Sequence, residues 1–123
     1  MNEKQLQSKI VMDFSQKLPE QKGKLWSTRN TTFSVKDGQT QKAMGMIPGV
    51  SDLIYYNGRF VGIEIKVRGT SHSAKHVERQ LKWGGMIKDA GGEWFIVTSL
   101  DEFWEVINGN PVEYTVERVK ELL

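Results

Sequence analysis

The chain has no cysteine, no long apolar run and only a small excess of positive charge, and each absence excludes a class of protein. Without cysteine there can be no disulfides and no thiolate metal site. No apolar run could cross a bilayer, and the polar N-terminus does not resemble a signal peptide, so we expect a cytoplasmic protein that does not bind membranes. A net charge of +2 is too small to indicate nucleic-acid binding by itself.

What is present is an ordinary globular composition with an uneven charge distribution. The length of 123 residues predicts one domain over residues 1–123. The part from Asp101 onward is acidic, whereas the stretch from Arg59 to Lys82 is basic, with Glu64 and Glu78 as its only acids. Its basic residues are Arg59, Lys66, Arg68, Lys75, Arg79 and Lys82. The basic excess therefore surrounds the pair of carboxylates, Asp52 and Glu64.

Two short apolar segments joined by Asn57-Gly58 carry three charged residues, and this is the feature that most needs an explanation. Asp52 precedes the first segment, and Glu64 and Lys66 lie in the second. The pattern predicts a β-hairpin, and residues two apart on a strand share a face. Charged groups in buried strands are costly unless they are paired or bind an ion.

The register of this hairpin decides whether the two carboxylates meet. A two-residue turn at Asn57-Gly58 would pair Asp52 with Ile63 and put the carboxylates on opposite faces. One further loop residue pairs Asp52 with Glu64 and gathers the apolar residues on the other face. Those apolar residues are Leu53, Tyr55, Val61, Ile63 and Ile65. We therefore predict a three-residue loop, Asn57-Gly58-Arg59, with Gly58 or a neighbour at positive φ.

The N-terminal half is predicted to contain one helix and one strand before the hairpin. Asn2 can cap a helix to about Lys17, whose apolar stripe is Leu6, Ile10, Phe14 and Leu18, with Val11 beside it. Glu3 continues the stripe, either as a first-turn acid favoured by the helix dipole or as a carboxylate in a site. A short strand over 25–29 should follow. Residues 30–41 should form a loop or weak hairpin around Asp37-Gly38.

The C-terminal half alternates strands and helices. We predict a helix over about 75–90, with Gln80 inside an apolar arc of Val77, Leu81, Trp83, Met86, Ile87 and Ala90. A buried strand over 93–98 should follow, then a helix opened by a capping box from Ser99 to Glu102, and a last helix over 115–123. This order predicts an α/β fold in which helices flank a mixed sheet on both sides.

The charged cluster suits hydrolysis of a phosphodiester by a hard metal ion. Asp52 and Glu64 would supply oxygens to Mg²⁺ or Mn²⁺, the Ile65 carbonyl could add another, and Lys66 could stabilise charge on a phosphate. The alternative is a salt bridge of Lys66 with Glu64 or Asp52 on a solvated sheet face. The acid-acid-lysine pattern alone favours that alternative. The hairpin, the preceding Pro-Gly and Gln80 on the next helix favour the metal site.

Over nearly the whole chain, the sequence resembles a stand-alone VRR-NUC nuclease, a branch of the PD-(D/E)xK superfamily often carried by phages and prophages. The resemblance rests on an ordered set: Glu3, Gly45 to Leu53, Ile63-Glu64-Ile65-Lys66, Ser73, Gln80 to Trp83, and Ala90-Gly91-Gly92 before the strand from Trp94 to Val97. Ser51 departs from it, because the family usually has proline before the aspartate. Gly84-Gly85 is also unusual.

The resemblance implies a restriction-endonuclease-like fold and a Mg²⁺- or Mn²⁺-dependent endonuclease. Asp52 and Glu64 would be metal ligands, Lys66 the catalytic lysine, Gln80 an active-site polar group and Glu3 an outer acid. Stand-alone members resemble Holliday-junction resolvases and act as homodimers, so branched DNA is the expected substrate. If DNA binds, phosphates should contact Arg68, Lys75, Arg79 and Lys82.

Two other functions stay open: a DNA-binding module that keeps the fold without cutting, and a sequence-specific restriction-type endonuclease.

The segment from Asn30 to Gly49, with its stretch Met44 to Ile47, is a candidate for dimer or DNA contact, or is a mobile loop. His72 and His76 are interpreted as solvated histidines rather than a zinc pair. The four tryptophans are interpreted as core residues.

Overall fold

A computed structural model describes residues 1–28, 35–47, 49–69, 73–110 and 121, without the side chains of 35 and 36. The elements in chain order are α1 (Glu3–Lys17), a 3-10 turn (Pro19–Gln21), β1 (Leu25–Ser27), α2 (Val35–Ala43), β2 (Leu53–Tyr56), β3 (Phe60–Ile65), α3 (Ala74–Asp89), β4 (Glu93–Val97) and α4 (Leu100–Ile107). Within these ranges, no helix is long and apolar enough to span a membrane. Arg29, Pro48, His72 and nearly all of the predicted last helix lie outside the described residues.

The four strands form one mixed sheet in the order β1-β2-β3-β4. The β1–β2 and β2–β3 pairs are antiparallel, and β3–β4 is parallel. Leu53 pairs with Ile63 and Tyr56 with Phe60, so the hairpin register is the predicted one with a three-residue loop. Gly58 has a φ of +78°, as that loop requires. The predicted α/β architecture with a mixed sheet is confirmed.

One face of the sheet packs against α1 and α4 and forms the main core. The odd-numbered hairpin residues predicted to share a face all lie in this core, together with Phe103 and Val106 of α4. Leu6, Ile10 and Phe14 are the buried residues of α1, as its spacing predicts. Val11 is exposed instead, because it lies about 100° around the helix from Ile10. The Asn2 capping box fixes the start of α1.

The other face of the sheet packs against α3, whose inward side differs from the predicted arc. Gln80, Trp83 and Gly84 are buried, but Leu81 and Met86 are exposed. The reason is Gly84: a Cβ there would overlap the Trp94 ring, so the missing side chain brings α3 close to β4. Because α3 lies so close to β4 at Gly84, the side of the helix that contains Gln80 and Trp83 faces the sheet, and Leu81 and Met86 on its two edges face solvent. This close approach also accounts for the first of the two unusual glycines.

The predicted loop around Asp37-Gly38 is wrong, because α2 covers Val35–Ala43. Asp37 lies in the first turn, where the helix dipole favours an acid, and its carboxylate accepts a hydrogen bond of 3.1 Å from the Gln41 side-chain amide. These local interactions offset the helix-weakening effect of Gly38. The Asp-Gly pair is therefore part of a helix here rather than a turn.

Of the two hydrogen bonds in the capping box predicted for α4, the first is confirmed. Ser99 accepts a hydrogen bond from the Glu102 N–H, while the Glu102 carboxylate accepts from the Thr98 N–H rather than from Ser99. At the C-terminal end, Arg59 donates to the carbonyls of Val106 and Ile107. The last turn of α4 is thus held against the loop of the central hairpin.

Candidate active site

Asp52, Glu64 and Lys66 come together at one end of the central hairpin, on the face of the sheet that packs against α3. The observed register places Asp52 opposite Glu64, one residue before Leu53 pairs with Ile63. Lys66 follows β3 directly, and its N–H donates to the Val97 carbonyl, which extends the β3–β4 ladder by one residue. The three side chains therefore leave adjacent strands on the same side.

Glu64 and Lys66 are each only 1% exposed, so this is not a solvated sheet face. Among the described residues the ion pairs are Lys17–Asp13 and Arg59–Glu93, and neither includes Lys66. The alternative of a Lys66 salt bridge on a solvated sheet face is therefore wrong, because the residues are buried and Lys66 forms no salt bridge with Asp52 or Glu64. A buried ammonium group that has no salt bridge is unfavourable for folding. Such a group indicates a site in which a ligand supplies the missing negative charge.

Asp52 is held by the main chain of the opposite strand. Its Oδ2 accepts a hydrogen bond of 2.8 Å from the Ile65 N–H. On its other side, the Asp52 carbonyl accepts a hydrogen bond of 3.1 Å from the Thr28 N–H, which continues the β1–β2 pairing by one residue, and the Ser51 carbonyl accepts from the Thr28 hydroxyl. Because the N–H and C=O of one strand residue point to the same side, the Ile65 carbonyl is directed to the side of Asp52. Its role as a metal ligand stays a prediction.

Glu64 is the most perturbed group of the site. Its Oε1 accepts a hydrogen bond of 2.8 Å from the Gln80 side-chain amide, and its Oε2 is buried without a hydrogen-bond partner in the described part of the chain. Burial raises the pKa of Glu64 to about 10, and the nearby carboxyl group of Asp52 acts in the same direction. Lys66 lowers this pKa and Glu3 raises it, both less strongly.

Glu3 lies at the first position of α1 and is half-buried. Its influence on the pKa of Glu64 shows that it lies near the site. Within the described ranges, however, no three His, Asp or Glu side chains are grouped so that they could hold a metal ion. The predicted role of Glu3 as an outer acid of the site stays a prediction.

His76 is a residue of the site that the sequence analysis interpreted as merely solvated. Its Nε2 lies 3.0 Å from Gln80 Nε2, the atom that also contacts Glu64. His76 precedes Gln80 by four residues on α3, so their side chains lie on one face of the helix. The four-residue spacing of His76 and Gln80 is the signal in the sequence for this contact, whereas His72, at the same spacing before His76, lies outside the described residues.

The four predicted DNA-contact residues, Arg68, Lys75, Arg79 and Lys82, are all exposed. Their contact with DNA stays a prediction. Arg59, counted with the basic residues around the carboxylates, is placed differently. It lies at the opposite end of the hairpin and forms a two-point salt bridge with Glu93, with distances of 2.8 and 2.9 Å. The basic excess near the site is smaller than the sequence suggests.

The tryptophans divide into three packed residues and one exposed residue. Trp83 and Trp94 are buried in the core under α3, and Trp104 packs against the α1 core. Trp26 is 43% exposed, because β1 is the edge strand and alternation turns this side chain away from α1. The interpretation of all four as core is wrong for Trp26.

Met44 and Ile47 are exposed too, and their contact with a dimer partner or DNA stays a prediction.

The donor atoms of this site fit a hard divalent cation. Two carboxylates face each other, one of their oxygens is buried and unpartnered within the described residues, and their mutual repulsion raises the pKa of Glu64. A cation would relieve this repulsion and use the open oxygen. Two carboxylates with main-chain or water oxygens are a donor set that Mg²⁺ accepts, and it needs no third acidic residue.

Comparison with known proteins agrees with this architecture. No protein-family model and no curated protein matches the chain. One solved structure, described as a "VRR_NUC domain protein", superposes with a TM-score of 0.68 and 21% sequence identity. The similarity covers 89% of this chain and 88% of that one. The chain therefore has the fold of a VRR-NUC domain.

Proposed function

We propose that the protein is a metal-dependent endonuclease that hydrolyses phosphodiester bonds in DNA. The observation that carries this proposal is the pair of apposed carboxyl groups, Asp52 and Glu64, beside a buried lysine, Lys66, that forms no salt bridge with a described residue. The similar solved structure, described as a VRR_NUC domain protein, supports the assignment to nucleases. Fold alone does not determine activity, so the site has to carry the argument.

Each residue would have a distinct role in such a reaction. Asp52 and Glu64 would hold a Mg²⁺ or Mn²⁺ ion together with the Ile65 carbonyl, and such an ion supplies Lewis-acid stabilisation of the phosphate and a lower pKa for a bound water. Lys66 would bring positive charge to the phosphate oxygens. Gln80 would orient groups at the reacting centre through its contact with Glu64. Glu3 would add negative charge at the edge of the site.

DNA would approach along the exposed basic residues. Lys75, Arg79 and Lys82 recur at intervals of four and three on α3, so they form one stripe beside the buried line that contains Gln80. Arg68 lies shortly after Lys66 in the chain, and its side chain is exposed. Contacts from such residues to phosphates position DNA without reading its sequence. This supports a structure-selective enzyme over a sequence-specific restriction enzyme.

We further propose branched DNA, such as a Holliday junction, as the substrate and a homodimer as the active form. A single small domain with one site makes one cut, whereas a two-fold junction needs two symmetric cuts. The exposed Met44 and Ile47 are suitable contacts between two copies. The alternative is a DNA-binding module that does not cut. The presence of both carboxylates, the lysine and Gln80 argues against it.

A cleavage panel tests this proposal. Holliday junctions, flaps, splayed arms and linear duplex would each be incubated with Mg²⁺, Mn²⁺ or a chelator. We expect cation-dependent cleavage that is fastest on branched DNA, and loss of cleavage in Asp52→Ala and Lys66→Ala. Lys88→Ala is the matched control, because Lys88 is an exposed lysine at the far end of α3. Binding of DNA by the wild type without cleavage of any substrate would leave only the binding module.

A further inference from the structure

The side-chain amide of Gln80 lies between two acceptor groups. Gln80 is only 4% exposed, and its Nε2 is 2.8 Å from Glu64 Oε1 and 3.0 Å from His76 Nε2. Its Oε1 is buried and has no hydrogen-bond partner in the part of the chain that the structure describes. Oε1 and Nε2 are bonded to the same carbon atom, so the unpartnered oxygen belongs to the same amide group that contacts Glu64.

With Nε2 placed between Glu64 and His76, the count of hydrogen atoms gives the direction of both contacts. The Gln80 NH₂ group has two hydrogens and no acceptor site, so it can donate once to Glu64 and once to His76. The second donation requires a lone pair on His76 Nε2, which places the imidazole proton on Nδ1. With this tautomer both hydrogens are used, and the Gln80 carbonyl oxygen is the group that remains open.

The contact with Glu64 uses only one of the two hydrogens on Gln80 Nε2. A second acceptor on the other side of this nitrogen uses the remaining hydrogen and holds the amide at two points. His76 is placed to be that acceptor.

We propose that His76 is a positioning residue that fixes the Gln80 amide with its carbonyl oxygen open to the site. Gln80 is then an acceptor at the reaction centre. It accepts a hydrogen bond from an O–H group, such as that of a water molecule, and does not donate to a phosphate oxygen. This assignment rests on the proposed nuclease function for the role of Gln80, whereas the His76–Gln80 contact itself stands on geometry.

Two substitutions with opposite hydrogen-bonding character test the proposal. His76→Glu presents an acceptor, and His76→Lys presents only donors. We expect His76→Glu to retain most of the kcat with Mg²⁺ and His76→Lys to lose about 10- to 100-fold, the usual range for residues that orient active-site groups. KM and melting temperature should stay near the wild-type values, because His76 is exposed. Ala74→Glu and Ala74→Lys introduce the same charges in the first turn of α3 and control for electrostatics.

A spectroscopic measurement separates this inference from the nuclease proposal. In ¹⁵N NMR spectra at about pH 8, where an ordinary histidine is neutral, His76 should carry its proton on Nδ1. The Gln80 side-chain NH₂ signals should shift in His76→Lys and not in Ala74→Lys. This holds even if no DNA is cut. Protonation of His76 on Nε2, unchanged Gln80 signals, or equal loss of kcat in His76→Glu and His76→Lys would overturn the proposal.

Discussion

The two ends of the β2–β3 hairpin treat charge in opposite ways. At the loop end, Arg59 is about one-third exposed, is paired with Glu93 by two hydrogen bonds and donates to two carbonyls of α4. At the other end, Glu64 and Lys66 are almost completely buried, yet Lys66 has no salt bridge with a described residue. Burial makes an unpaired charge unfavourable, yet the buried end of the hairpin is the one where Lys66 lacks a salt bridge with a described residue.

The comparison separates charge that stabilises the fold from charge that is kept for a ligand. Pairing with Glu93 raises the pKa of Arg59 and lowers that of Glu93, so each partner stabilises the ionised form of the other. The neighbours of Glu64 do the reverse, because burial and Asp52 raise its pKa. A carboxyl group whose surroundings disfavour its ionised form in this way is typical of a functional site. Substitutions at the two ends should therefore have opposite effects.

The largest effect is expected at Lys66. Lys66→Met keeps an unbranched side chain and removes the buried charge, so we expect cleavage to fall by at least about 100-fold. The free energy of unfolding should stay equal or rise, because replacing a buried charge by an apolar group is often neutral or stabilising. Cleavage assays and urea unfolding of the same preparation measure both quantities. A loss of stability comparable to the loss of activity would contradict the comparison.

The next effect concerns the helix that carries Gln80. Gly84→Ala forces a methyl group into the Trp94 ring and should lower the free energy of unfolding by about 1–3 kcal/mol. Gly85→Ala is the matched control, since a Cβ there meets no atom, and it should raise stability by up to about 1 kcal/mol. Urea unfolding measures both. Equal effects of the two substitutions would mean that α3 does not approach β4 as closely as described.

The smallest effect is expected at the loop end of the hairpin. Arg59→Met removes the bond to Glu93 and the contacts to the end of α4, and should lower stability by about 1 kcal/mol, since the pair is partly exposed. Cleavage should stay near the wild-type rate, because the site lies at the other end of the strands. A cleavage loss as large as that of Lys66→Met would remove the distinction between the two ends.

The sequence was sufficient to predict the hairpin and its charged face because burial decides the register. Only the three-residue loop keeps Leu53, Val61 and Ile63 on one face, and that choice also brings Asp52 opposite Glu64. Gln80 was predicted to point inward from helical spacing alone, and it is buried as expected. These features depend on the local period of polar and apolar residues, which the sequence contains directly.

Other features depend on tertiary contacts that no local pattern contains. The rotation of α3 follows from the packing of Gly84 on Trp94, which lies ten positions further along the chain. The helix α2 includes an Asp-Gly pair that more often marks a turn. The contact of His76 with Gln80 has the usual helical spacing, but its meaning depends on Glu64 on another element. Arg59 is one of the basic residues around the carboxylates in the sequence, but in the fold it is paired with Glu93 on β4.

The most direct test of the account is the thermal stability of the wild type and Glu64→Gln as a function of pH, with chelator or with Mn²⁺. The pKa of Glu64 is raised from its ordinary value to about 10 in the folded state, so its contribution to stability is present at low pH and is lost as the pH rises. In chelator, we predict a wild-type melting temperature that falls between about pH 5 and pH 9, the interval below that raised pKa. Glu64→Gln should show a flatter profile.

Addition of Mn²⁺ should raise the wild-type melting temperature most at the upper end of this pH range, because a cation displaces the proton of Glu64 more easily as the pH rises. It should have little effect on Glu64→Gln. This result would place the cation at the two carboxylates without any assay of DNA cleavage. A wild type whose melting temperature does not respond to Mn²⁺, or a Glu64→Gln variant that responds equally, would contradict the account.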